Sequence, residues 1–142
     1  MANTIKLNEG LEPLDVVFED RGEVVRIHFN PRDTDLALRI MQSQGNIRAA
    51  VEALPEGEDD AAKLEQVNGV IRAEIDRIFG AKVSDEIFKF CGPLTPDKDG
   101  VTFVERFLAA VAPYIIGRID EANKASAARI AKHTAKYTQA EK

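Results

Sequence analysis

The chain has 142 residues, enough for one domain with a tail, and its 44% apolar content is typical of a globular protein rather than a disordered one. No apolar run approaches the roughly 20 residues of a membrane span, and the N-terminus lacks the layout of a secretory signal. The single cysteine cannot form an internal disulfide, and this favours a reducing, cytosolic setting. The net charge of −5 divides into −8 for residues 1–120 and +3 for residues 121–142, so the acidic body argues against nucleic acid as a partner, and no membrane partner is expected.

Residues 14–29 predict a β-hairpin. A turn at Arg21-Gly22 places six apolar side chains on one face and sets Asp15 opposite His28 on the other. The six are Leu14, Val16, Phe18, Val25, Ile27 and Phe29. Two strands alone are marginally stable in water, so the apolar face should rest on helices, or the hairpin should join another sheet.

The apolar periodicity after the hairpin predicts helices. The first is expected to start at Asn30-Pro31, an asparagine cap with proline at the first helical position. Gly45-Asn46 interrupts its pattern and is expected to bend or split it. A second amphipathic helix should end at Gly80, with the glycine in the left-handed conformation that a side chain would penalise.

Two further helices follow. Ser84 is expected to cap a short third helix that stops at Gly92, a second left-handed glycine. Thr102 and Glu105 have the spacing of a capping box, which predicts the start of a long fourth helix. Pro113 removes one backbone donor from that helix, so a kink is predicted nearby.

These elements predict a mainly α (α+β) fold, with an N-terminal β-hairpin followed by a bundle of about four helices. Three segments are expected. Residues 1–12 form a flexible arm, residues 13–120 the hairpin and helical domain, and residues 121–142 an extended basic helical tail.

The reactive side chains favour structural roles. Cys91 is more readily explained as a small apolar residue beside a helix end than as a nucleophile, and His28 with Asp15 as a solvated cross-strand pair rather than an acid–base pair. The sequence DKDG at 97–100 resembles part of a calcium loop, but Arg106 would occupy the position of the bidentate glutamate. We therefore predict no enzyme, no catalytic residue, no cofactor and no metal.

Phenylalanine is concentrated in the second half of the chain, with five of the seven between residues 79 and 107. So much aromatic area is buried either in the protein's own core or against a partner, and both interpretations remain open. For the second, the expected partner-binding residues are Ile78, Phe79, Ile87, Phe88 and Phe90.

The arrangement resembles the tail assembly chaperones of long-tailed siphophages, particularly those of phages and prophages of Gram-positive bacteria. The similarity lies in three stretches: IDRIFG at 75–80, DEIFKFCG at 85–92 and VTFVERFLAAV at 101–111.

The resemblance implies a non-catalytic role in the host cytoplasm, with the protein absent from the mature virion. It implies that the protein binds the tape measure protein and keeps it soluble until tail tube subunits polymerise. It also implies a longer frameshifted form that recruits the tail tube protein. We also expect self-association, for which the open edge of the hairpin offers a route. The alternatives are another phage structural or adaptor module, such as a head–tail connector, a small helical interaction protein, and a small helical enzyme.

Overall fold

The computed structural model describes residues 2–54 and 61–140, with side chains described up to residue 132. The hairpin is followed by helices, so the predicted fold class is confirmed. The elements are β1 (Glu12–Phe18), β2 (Glu23–Phe29), α1 (Leu36–Glu52), α2 (Ala61–Phe79), α3 (Ser84–Ile87) and α4 (Phe103–Ala140).

The hairpin has the predicted faces in a different register. Phe18 opposes Glu23, so the loop spans the four residues 19–22 and the predicted two-residue turn is wrong. A two-residue hairpin turn favours positive φ at its first position, which Arg21 does not adopt, whereas the longer loop needs it only at Gly22, at φ +67°. Because the register shifts by two residues, every side chain keeps its predicted face.

Helix α1 starts later than predicted and is not interrupted. Asn30 closes a turn instead of capping a helix, since its Oδ1 accepts the Arg32 N–H at 2.9 Å, and the helix begins at Leu36. The helix runs unbroken through Gly45, so the predicted split is wrong, whereas a bend at this glycine stays a prediction. Buried side chains on both sides of that glycine hold the helix together, and this packing outweighs the cost of one glycine.

The junction between α2 and α3 is closed by Asp76. Its Oδ1 accepts the N–H groups of Val83 at 2.9 Å and Ser84 at 2.7 Å, and its Oδ2 accepts the Ser84 hydroxyl at 3.1 Å. The prediction that Ser84 caps α3 is therefore wrong, because a carboxylate from the preceding helix takes that role. Gly80 adopts φ +64° just after α2, as predicted.

Helix α3 is one turn long. It ends at Ile87, and the N–H of Phe88 donates to the carbonyl of Ser84 at 2.9 Å. The chain then leaves the helix and places the Phe88 ring in the core, at 4% exposure. The predicted helix end at Gly92 is wrong, and this glycine is not among those with positive φ.

The start of α4 agrees with the prediction. The Thr102 N–H donates to Glu105 Oε2 at 2.8 Å, and the Glu105 N–H donates to Thr102 Oγ1 at 3.4 Å, which completes the capping box. Before it, Asp97 Oδ1 accepts the N–H groups of Asp99 at 2.8 Å and Val101 at 3.0 Å. These hydrogen bonds lower the pKa of the Asp97 carboxyl, that from Val101 most.

The core lies between the inner face of the hairpin and the helices, with α1 and β2 both packed against α2. Branched aliphatic side chains dominate it. Those with almost no exposed surface include Ile27, Leu36, Ile40, Ile47, Ile71, Ile75, Ile78, Ile87, Val104 and Ile115.

Residues 123–132 of α4 lie outside this core. Up to residue 132, where the described side chains end, Ala122 is the last buried residue, and the side chains of residues 123–132 are all exposed. The kink expected at Pro113 stays a prediction, as do the boundaries of the three segments. Residues 141–142 of the predicted tail lie outside the described residues.

Glu12 connects the hairpin to α4. Its carboxylate accepts the Arg118 Nε–H at 3.1 Å and the Nη2–H at 2.6 Å, a two-point contact between the start of β1 and the long helix. The hydrogen bonds from Arg118 lower the pKa of Glu12, and partial burial opposes this shift without reversing it.

Replacing Asp76 by alanine should destabilise the fold. Asp76→Ala leaves the Ser84 N–H without its acceptor and removes one of the two acceptors of the Val83 N–H, which also donates to the carbonyl of Ala81 at 3.0 Å. The free energy of unfolding should therefore fall by about 1–3 kcal/mol. Urea unfolding followed by circular dichroism measures it. Glu65→Ala is the matched control, because Glu65 is an exposed acid of the same helix, and it should change stability by less than about 0.5 kcal/mol. Equal effects would contradict the role of Asp76.

Acid should weaken the contact between Glu12 and Arg118. Because the folded-state pKa of Glu12 is lowered, its contribution is present above the unfolded-state pKa and is lost as pH falls through the folded-state pKa. Glu12→Gln should cost about 1 kcal/mol or less at neutral pH and make unfolding less sensitive to acid. Urea titrations across the acid range test this, and unchanged acid sensitivity in the variant would contradict it.

Candidate functional site

Three phenylalanine rings form an open groove at the tip of the hairpin. Phe18 ends β1, Phe90 lies in the segment after α3, and Phe103 is the first residue of α4. The Phe18 ring meets Phe90 edge-on with 5.2 Å between centroids, and lies 6.1 Å from Phe103. All three are half-buried. We call this depression, of about 650 Å³, the aromatic groove.

The aromatic groove is joined to the core by a fourth ring. Phe88 is buried and meets Phe103 edge-on, with 6.0 Å between centroids. Edge-to-face pairs at these distances add to the stability gained from burial alone. The contact with Phe88 therefore anchors the half-buried rings to the core.

Cations lie over the rings. The guanidinium carbon of Arg21 is 5.0 Å from the centroid of Phe90, the Lys89 Nζ is 5.0 Å from the same ring, and the guanidinium carbon of Arg106 is 5.5 Å from Phe103. Each distance is within the range of a cation–π contact. The groove thus combines an apolar floor with charged edges.

These cations differ in what else they contact. Lys89 pairs with Glu86 at 3.0 Å and Arg106 lies 3.8 Å from Asp97, whereas within residues 2–54 and 61–132 no carboxylate forms an ion pair with Arg21. Arg21 therefore holds an exposed positive charge against the ring of Phe90. It is the groove cation most accessible to a carboxylate of a partner.

Local hydrogen bonds near α4 position the groove. The Phe103 N–H donates to the carbonyl of Thr95 at 2.8 Å and the Val104 N–H to that of Pro93 at 2.9 Å, which draws the segment after α3 onto the start of α4. A β-bridge between Pro96 and Thr102 closes the loop. This loop and the Asp76 cap together hold the segment that carries Phe90.

Three of the five predicted contact residues belong to the core. Ile78, Ile87 and Phe88 are 2%, 0% and 4% exposed, so a partner could reach them only if the core opened. Phe90 lies in the aromatic groove. Phe79 is half-buried and lines a different depression, beneath the N-terminal arm, so the structure does not bring these five residues to one surface.

Sequence reasoning missed Phe18 and Arg21 as members of the site. The predicted hairpin placed both near its turn, but no local pattern indicated that this turn would meet the segment after α3. A cationic residue three positions after an aromatic one at a hairpin tip was the only available signal.

The groups considered for chemistry occupy other environments. Asp15 pairs with Arg26 at 2.7 Å, and that hydrogen bond lowers its pKa, so the predicted pairing with His28 is wrong. The register shift places His28 opposite Pro13 on the exposed face. Cys91 is half-buried and lines the aromatic groove.

Asp97 uses its carboxylate for the backbone of its own loop, as described above. In the described part of the chain, no three His, Cys, Asp or Glu side chains are grouped to hold a metal ion. No helix among the described residues combines the length and apolarity needed to cross a membrane.

Comparison of the chain with protein-family models, curated proteins and solved structures finds no match.

The difference between core and groove rings can be measured. Phe88→Ala should lower the free energy of unfolding by about 3–5 kcal/mol, as expected for a buried ring. Phe90→Ala should cost about 1–2 kcal/mol, because part of that ring already contacts water. Urea unfolding of both variants tests this, and equal losses would mean that Phe90 is a core residue.

Proposed function

We propose that the protein is a non-enzymatic tail assembly chaperone that binds the tape measure protein and keeps it soluble before the tail tube polymerises. The observation that carries this proposal is the aromatic groove, in which Phe18, Phe90 and Phe103 leave part of their surface open to solvent. The proposal joins that surface to the resemblance of the three sequence stretches.

The groove suits an apolar side chain presented by a helix. Its volume falls in the range of pockets that hold small ligands, and its floor is aromatic. Helix-in-groove recognition places residues from one face of an amphipathic helix into such a depression. A long helical client offers many such faces, and many weakly bound copies can cover it.

The charges at the groove define the preferred segment. Arg21 lies over the Phe90 ring, so an apolar anchor with a carboxylate close to Arg21, and away from Glu19 and Asp20 of the same groove, matches the site. The negative charge of residues 1–120 favours solubility of the coated client. We propose that the longer form, where made, brings tail tube protein to the same client.

Co-expression tests this function. The tape measure protein from the same genome should be mostly insoluble alone and mostly soluble with this chain. Phe90→Asp should reduce the soluble fraction severalfold, because it places a carboxylate against the aromatic floor. Met41→Asp is the matched control, since Met41 is an exposed apolar residue on α1 outside the groove, and it should leave the soluble fraction unchanged.

Circular dichroism of each variant separates loss of binding from loss of fold. An unchanged soluble fraction with the wild-type chain would contradict the proposed client. Recovery of the chain in purified phage particles would instead favour the structural or adaptor module.

A further inference from the structure

The two strands of the hairpin are covered unequally on their inner face. Val25, Ile27 and Phe29 of β2 are 5%, 1% and 2% exposed, whereas the inward side chains of β1 are only half-buried. The half-buried set is Leu14, Val16 and Phe18. The helices therefore do not fully cover the apolar face of the hairpin, and the part left open lies along the outer edge of β1.

That edge is open. Within the described residues the sheet has two strands, and β1 pairs with β2 alone. An open edge presents unpaired backbone N–H and C=O groups, and natural proteins usually blunt it with charges or proline. Beyond Pro13, the single charged residue up to the end of β1 is Asp15. The edge can accept another strand.

The N-terminal arm has the pattern of such a strand. Ile5 and Leu7 are 84% and 88% exposed, and residues 2–10 form no regular element. Because the two side chains are two residues apart, an extended backbone places both on one side and Lys6 on the other. Covering two large apolar side chains with this exposure lowers the free energy.

The arm is held away from the edge of its own β1. The Asn30 side-chain N–H donates to the carbonyl of Glu9 at 2.6 Å, and Asn30 directly follows β2. Gly10 adopts φ +82° at this point. The bond holds the base of the arm beside the end of β2, which favours a β1 edge in a different molecule over the edge of its own β1.

We propose that residues 3–9 of one copy add as a third strand to the free edge of β1 in a second copy, and that the exchange is reciprocal. Ile5 and Leu7 then cover the open flank of the inner face, and Lys6 lies on the face that carries Asp15. Since the arm continues β1, a two-fold arrangement makes it antiparallel to the partner strand and closes the assembly as a dimer. This inference does not depend on the proposed client.

Sedimentation of the full chain alone, across a dilution series, tests the exchange. The wild-type protein should have twice the chain mass, and Ile5→Asp/Leu7→Asp should raise the dissociation constant by more than about 100-fold, since two apolar anchors are lost. Met41→Asp, a single substitution of the same kind at another exposed apolar site, should leave the dimer intact.

Hydrogen exchange gives an independent reading. Amides of residues 3–9 should be protected in the wild-type dimer and lose protection in the double variant. A monomeric wild-type protein would overturn the proposal. If the amides of the arm were protected in that monomer, the arm would fold onto its own chain. A dimer unaffected by the double variant would also overturn it. Because no client is present, these results are separate from those of the co-expression test.

Discussion

The carboxylate of Asp76 is the contact on which the placement of the groove depends. It joins the last turn of α2 to the first residues of α3 through two backbone N–H groups and the Ser84 hydroxyl. A one-turn helix has too few internal hydrogen bonds to persist alone. With this cap in place, Ile87 and Phe88 lie in the core. Phe90, two residues further along the chain, lies at the surface.

The aromatic residues form two groups, one buried in the core and one partly exposed at the surface. Phe88 is sealed in the core, whereas Phe18, Phe90 and Phe103 form a half-covered layer above it. Cations over the exposed rings make this layer compatible with water while leaving it able to bind an apolar segment. A non-catalytic binding role is consistent with this arrangement, because the groove presents its apolar surface without any opening of the core.

The hairpin adds a second incompletely covered surface. The helices bury β2 and reach only part of β1, and the arm that precedes β1 carries apolar side chains with nothing over them. Under the two proposals the molecule divides its open apolar surface, with the aromatic groove for a client and the edge of β1 for a second copy. A protein that covers a long client in many copies would use both.

The sequence by itself determined what depends on local physics. The alternation of the hairpin, the left-handed Gly80 and the capping box of Thr102 and Glu105 all arise within a few residues, and the structure agrees with them. Only the tertiary structure decided the hairpin register, the start of α1 and the cap of α3. It also selected Phe90, among the predicted contact residues, for the groove. These features depend on groups distant in the chain, such as Asp76 with Ser84 or Phe18 with Phe90, and no local pattern encodes which distant residues will meet.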